Sequence, residues 1–432
     1  MTLPTMTLRL ALLALLLLQA TAGTAVWAQG SVVAAGSAVR EDNHAVWSRV
    51  VELAGGQGSR FVVFTASSGA PDLAAEAIGK ALRAHGAVSE HMRIGPVYAK
   101  AEGQDLAAAV RDPKWTALVN AATGVYFSGG DQRLLLDLLM PGGTDTPLML
   151  AVRAVFARGG VVGGESAGCA VMSDPAFREL PQPILALKAT AAQLAAGDAI
   201  GKGFGFLPPG VMVDQHFLSR GRIGRLIPAM RALKQPLGLG VEDGTAAVVR
   251  GNTVEVLGVK GVVVVDMGAA ESDAVPGAFN VRGVKLSYLD RGDRFDLATR
   301  TVTPAANKAA REINPNTPGF VGRFDRAPFA ADILAREQLL TTMALLVDGD
   351  ERSALGLAFA ATPLKRDPAP DLAFEWRFTV GPHTRGWSSP ASGGDYTLAG
   401  IELEIRPVRM RLPLYGPWQG AAVPAGAGAS RP

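Results

Sequence analysis

The chain has 432 residues, 48% of them hydrophobic and 19% charged, with a formal net charge of +3. That balance supports a large core in two or three ordinary domains and excludes a disordered chain. A charge so close to neutral, with no long basic run, leaves no footprint for nucleic acid, and one cysteine, Cys169, allows no internal disulfide.

In chain order, Arg9 precedes an apolar run from Leu10 to Leu18, and Val26-Trp27-Ala28 suits a cleavage site. The run has the length of a signal-peptide core and is too short to span a bilayer. Residues 1–28 are therefore expected to be removed and the mature protein to be secreted or periplasmic. Residues 31–36, 60–64, 125–127 and 161–162 read as short buried strands. Helical spacing over 46–53, 71–84 and the stretch through Leu139 fills the intervals between them. This alternation predicts an α/β fold, a mostly parallel sheet sandwiched by helices, with ligands beyond the carboxyl ends of its strands. Further on, 211–217 reads as a strand, 220–233 as a helix, and 237–249 and 254–265 as late Val-rich strands. Residues 29–305 would form this catalytic domain, with a linker rich in Asn, Pro and Ala over 306–319. Residues 320–418 read as a small appended α+β region, helical over 329–347 and with antiparallel strands over 372–380 and 396–408. Polymer binding, homodimer formation and simple packing are all open for it. The Ala-, Gly- and Pro-rich tail, 419–432, is expected to be disordered.

Gly164-Glu165-Ser166-Ala167-Gly168 is a G-x-S-x-G pentapeptide between a strand and a helix. That context suits a nucleophile elbow, with the Ala167 amide as an oxyanion donor. A serine that merely caps the helix fits the pentapeptide equally well. A serine nucleophile needs a base and a group to orient that base. Of the five histidines, His216 ends an apolar strand among Asp214, Gln215, Arg220, Arg222 and Arg225. Glu242 and Asp243 put two adjacent carboxylates at a later strand end, and either suits the third role. The order Ser, His, acid differs from the Ser, acid, His order of α/β-hydrolases. No His, Cys or carboxylate cluster has ligand spacing, so neither a metal nor another cofactor is implied.

Four stretches together resemble the cyanophycinases: Phe127-Ser128-Gly129-Gly130-Asp131-Gln132, the elbow, residues 214–225 (Asp-Gln-His-Phe-Leu-Ser-Arg-Gly-Arg-Ile-Gly-Arg) and residues 238–246. These belong to a serine peptidase family that also holds an aspartyl dipeptidase and has a fold like class I glutamine amidotransferases. The resemblance covers about residues 30–300. It implies Ser166 as nucleophile, His216 as base and the amides of Gly130 and Ala167 as oxyanion hole. Its acid is a Glu, usually preceded by Asp. Here the pair reads Glu242-Asp243, so Asp243 falls on the family's acid while Glu242 keeps the residue type. Gln132, Asp214, Gln215, Arg220, Arg222 and Arg225 fall on substrate-pocket positions. The implied substrate is cyanophycin, a poly-aspartate carrying Arg on each β-carboxyl, or a small aspartyl peptide. Guanidinium forks would take its carboxylates, and Asp214, Asp131 or Glu165 its arginines.

Overall fold

The computed structural model describes residues 30–414 apart from 180, 197–198, 274–277, 363, 365–366, 368, 390–394 and 412. The expected signal segment, 1–28, and the expected tail, 419–432, lie outside the described residues.

The first half alternates as its hydrophobic pattern demands. Strand β1 (Ser31–Ala35) leads to helix α1 (His44–Leu53), β2 (Arg60–Phe64), α2 (Pro71–Ala84) and β3 (Val88–Met92). Then come β4 (Gly124–Phe127), α3 (Gln132–Leu139), α4 (Pro147–Ala157), β5 (Val161–Glu165) and the single turn α5 (Ala167–Ala170). These strands lie parallel in the order β1-β5-β4-β2-β3. Alternate residues of β1 serve two cores: Val32 and Ala34 pack with α3 and α4, Val33 and Ala35 with α1 and α2. Both faces of β1, β2, β4 and β5 are largely buried, which is why these strands read as continuous apolar runs, while the edge strand β3 is mostly exposed or half-buried.

After a small pair, β6 (Ala176–Phe177) with β7 (Ile200–Gly201), the chain builds a second sheet. Strand β8 (Val211–Gln215), helix α6 (Ile223–Ala232) and β9 (Leu237–Val241) begin it, with β8 and β9 parallel. Residues 237–249 and 254–265, which read as single strands, each divide between the two sheets. Strand β10 (Thr245–Arg250) and β11 (Thr253–Gly258) join the first sheet antiparallel, while β12 (Val262–Asp266) returns to pair with β9. Turns at 242–244, with Gly244 at φ +69°, and at 259–261 make the crossings. Strand β13 (Val281–Leu289) extends the second sheet, and β14 (Arg294–Asp296) and β15 (Thr301–Thr303) complete the nine-stranded first one.

The described C-terminal strands join the second sheet. Strand β16 (Glu312–Ile313) and β17 (Phe329–Ala330) precede helix α7 (Gln338–Val347), followed by β18 (Ser353–Ala358), β19 (Leu372–Thr379), β20 (Arg385–Ser388) and β21 (Tyr396–Arg409). The second sheet runs β17-β18-β19-β21-β13-β12-β9-β8, so the strands of 320–418 are continuous with those beside the site. The helix expected over 329–347 starts only at Gln338. Residues 329–330 pair with β18, Asp332 accepts the Leu334 amide in a turn, and Glu337 has φ +61°. Two buried ammonium groups tie the halves together. Lys308 lies 3.0 Å from Asp290, 2.9 Å from Asp293 and 2.9 Å from the Thr397 hydroxyl, and Lys188 lies 2.6 Å from Asp367.

Candidate active site

Three strand ends from the two sheets converge. Ser166 follows β5 of the first sheet, His216 follows β8 of the second, and Glu242-Asp243 form the crossing from β9 to β10. Ser166 and His216 have φ of +51° and +48°. Non-glycine residues held in such regions cost on the order of 1–3 kcal/mol each and persist only where the surroundings fix them. At the elbow the surroundings are glycines. A methyl on Gly168 would lie 2.3 Å from the Phe127 carbonyl oxygen, so only glycine lets α5 approach β4 this closely.

Ser166 Oγ lies 3.0 Å from His216 Nε2, and His216 Nδ1 lies 2.6 Å from Asp243 Oδ1. The other Asp243 oxygen accepts a hydrogen bond from Ser219 Oγ at 3.2 Å. The contact with His216, more than any other influence, holds the Asp243 carboxyl below the usual carboxylate range. Of the two candidate acids, Asp243 is the one at the imidazole. Glu242 is completely buried, and its Oε2 accepts the amides of Leu218 at 2.5 Å and Ser219 at 3.0 Å. It thereby fixes the loop that presents His216.

Beside Ser166 runs the loop after β4. A methyl on Gly129 would sit 3.3 Å from Ser166 Cβ. Gly130 has φ +138°, and a methyl there would lie 2.0 Å from the Ser67 carbonyl oxygen. Ser67 is buried, its Oγ 2.9 Å from the Ser128 carbonyl and 3.1 Å from that of Gly129, and its own carbonyl accepts the Asp131 amide at 2.9 Å. Ala167 opens α5, so its amide has no intrahelical partner. Of the two amides expected to face an oxyanion, that of Ala167 directly follows Ser166, and that of Gly130 directly follows Gly129, which packs on Ser166. From Gly130 a cavity of about 420 Å³ opens, lined by Asp131, Gln132, Arg133, Arg178 and Glu179.

The other expected pocket residues differ in placement. Asp214, Arg222 and Arg225 are buried together, and Arg225 Nε and Nη2 reach the Asp214 oxygens at 2.7 and 2.5 Å. Arg222 donates to the Gln215 carbonyl at 2.8 Å and lies 3.4 Å from Asp214. Burial pulls the Arg222 guanidinium down to about 10, against the opposing pull of Asp214. These guanidinium groups and Asp214 are committed to one another instead of lining an open pocket. Gln215 is buried, and Gln132, also buried, donates to the Arg178 carbonyl at 3.0 Å. Arg220 is exposed. Asp131 is engaged by the Arg133 side chain in three contacts, and Glu165 accepts the Val39 amide at 3.3 Å while burial pushes its carboxyl up. Ser67 and Ser219 are the site residues that sequence reasoning missed. The cue for Ser67 is the polar run Thr65-Ala66-Ser67-Ser68 directly after a buried strand.

An α/β fold that aligns a serine, a histidine and an aspartate within hydrogen-bonding reach at converging strand ends defines a class, that of the serine-hydrolase arrangements. The chain belongs to peptidase family S51, whose family model matches residues 32–257. Among curated proteins it is similar to the cyanophycinase of Trichormus variabilis, 37% identical over 205 residues, which are 44% of this chain and 63% of that protein. It is likewise similar to the cyanophycinase of Synechococcus elongatus, 34% identical over 199 residues, 43% of this chain and 56% of that one. The match thus spans less than two thirds of these relatives. A solved peptidase from an acI-B1 actinobacterium aligns with TM-score 0.44 at 20% identity over 62% of this chain and 97% of its own.

Proposed function

We propose that this protein is an exported serine peptidase that hydrolyses cyanophycin to β-Asp-Arg dipeptides through an acyl-enzyme. The observation that carries the reading is the line from Ser166 Oγ through His216 to Asp243, at 3.0 and 2.6 Å. His216 Nε2 takes the Ser166 proton as Oγ attacks an aspartyl α-carbonyl of the substrate backbone. The amides of Gly130 and Ala167 hold the oxyanion as it forms. Collapse breaks the C–N bond, and His216 gives its proton to the leaving amine. Water, deprotonated by His216, then attacks the acyl carbonyl, and the proton returns to Ser166 as the acid leaves. Asp243 fixes the imidazole tautomer and stabilises the imidazolium.

The substrate class is supported by family membership and by the curated relatives, which are cyanophycinases. The cavity beside Gly130 suits a zwitterionic Asp-Arg unit, because it presents both carboxylates and guanidinium groups. With Arg222 and Arg225 turned inward, Arg220 is the cation of that run exposed to solvent and available to a substrate carboxylate. Incubation with insoluble cyanophycin tests the reading. The wild type releases dipeptide and Ser166→Ala does not; cleavage of short aspartyl peptides alone would shift the substrate, and equal release by both proteins would end the proposal. Export rests on the Leu10–Leu18 run behind Arg9. A protein recovered outside the cytoplasm with its N-terminus near residue 29 bears this out; a cytoplasmic chain that keeps Met1 contradicts it.

A further inference from the structure

Residues 334–337, well C-terminal to the family match, reach the proposed site. Glu337 donates its amide to the Leu218 carbonyl at 3.1 Å, while Glu242 holds the Leu218 amide from the other side. Leu218 follows His216 by two residues, so its backbone N–H and C=O are held from two sides by the buried acid and this segment. Gly221, at φ +57°, faces the Leu334 carbonyl so closely that a methyl would lie 2.1 Å from the oxygen. A methyl on Gly224 would meet Leu334 Cδ2 at 2.9 Å. The Glu337 carboxylate is paired with Lys260. Lys260 in turn donates its amide to Thr245 Oγ1 at 3.0 Å, and the preceding Val259 amide donates to the Gly244 carbonyl at 3.1 Å. Residues 334–337 therefore touch the loop after His216 directly and the turn carrying Asp243 through Lys260.

We infer that residues 334–337 are a positioning segment for the catalytic pair, with Leu334 and Glu337 setting the separation of His216 and Asp243. The inference rests on the serine-nucleophile reading above. Its physical basis is that the strand pairing of β8 with β9 ends at Gln215 opposite Val241, so beyond it His216 and Asp243 are held by side-chain and loop contacts, among them the Phe217 amide to the Val241 carbonyl at 3.3 Å and Ser219 Oγ to Asp243 at 3.2 Å. A misplacement of about 1 Å in such a constellation costs on the order of a hundredfold in rate. To the direct links that Glu242 and Ser219 make between the two loops, the segment adds a brace from the outer side.

The test reads the rate at which a phosphonofluoridate labels Ser166, which needs no knowledge of the peptide substrate. Leu334→Ala is expected to label about tenfold more slowly than wild type, with its circular dichroism retained. Lys260→Glu, which sets two carboxylates against each other on the surface, is expected to be slower by about threefold, and Lys260→Glu combined with Glu337→Lys to recover most of that loss. Recovery by charge reversal separates positioning from general loosening, and it decides the matter even if Leu334→Ala fails to fold. Folded single variants that label at the wild-type rate overturn the inference, as does a double variant no faster than Lys260→Glu. A wild type that takes no label overturns the serine-nucleophile reading itself, and the inference with it.

Discussion

Glu242 and Asp243 differ by one methylene and one position, and the fold gives them different partners. Asp243 faces His216 Nδ1, whereas Glu242 lies wholly buried under the amides of Leu218 and Ser219. Asp243→Asn keeps the shape but favours the wrong imidazole tautomer, and is expected to lower kcat by roughly 10³–10⁴-fold, as measured by steady-state hydrolysis. The same variant carries a pH signature. The folded Asp243 carboxyl is held below its ordinary value, so its contribution to stability is complete above the unfolded value of about 3.9 and fades as pH falls through the lower folded one. Denaturant titrations should show wild type more stable than Asp243→Asn at pH 6, with the gap closing below about pH 4. Ser67 acts one step further out, since its hydroxyl and carbonyl hold the loop that presents Gly130. Ser67→Ala is expected to reduce kcat by about tenfold with KM nearly unchanged, because a displaced oxyanion donor weakens only the transition state.

At the scale of the element, the elbow was legible because its requirements are local. Two valines, a run of glycines and a small helix start specify strand, tight turn and close packing, and the Gly168 approach to Phe127 is the contact they serve. Gly168→Ala is expected to destabilise the protein by several kcal/mol, since the colliding atom is backbone oxygen that has no easy escape. A fall in Tm of more than about 5 °C checks it. The run after β8 was only half legible. Its residue types mark a special place, but their direction depends on strand alternation. Val211 and Val213 face the core shared with the first sheet, and Met212 faces the core under α6. Asp214 shares the side of Met212, so it meets Arg225 of α6 and Arg222 just before that helix, and not solvent. Sequence spacing puts Arg222 and Arg225 on one helix face but does not say what covers that face.

Over the whole molecule, what the sequence concealed was long-range pairing. Residues 237–249 read as one strand, yet they cross between two sheets at the turn that carries Asp243. The C-terminal strands read as a separate unit, yet β21 pairs with β13, from Val281 opposite Ile405 to Tyr288 opposite Leu398. Apolar periodicity assigns a strand its faces but names no partner. The buried group at Lys308 shows how tightly the parts are joined, because it draws Asp290, Asp293 and Thr397 to one ammonium. Lys308→Met leaves two buried carboxylates without their cation, and a loss of about 3–5 kcal/mol is expected in urea unfolding. A loss below about 1 kcal/mol would mean that water or local rearrangement replaces the lysine. The site draws on both sheets, so its geometry depends on this union as much as on any single loop.

The central claim is that Ser166 is a nucleophile activated by His216. Its most direct test is the intact mass and peptide map of the protein after treatment with a phosphonofluoridate. One adduct per chain is expected, on the peptide containing Ser166, formed by wild type and absent from His216→Ala. No adduct, an adduct on another residue such as Ser67 or Ser128, or equal labelling of the His216→Ala variant would contradict the account.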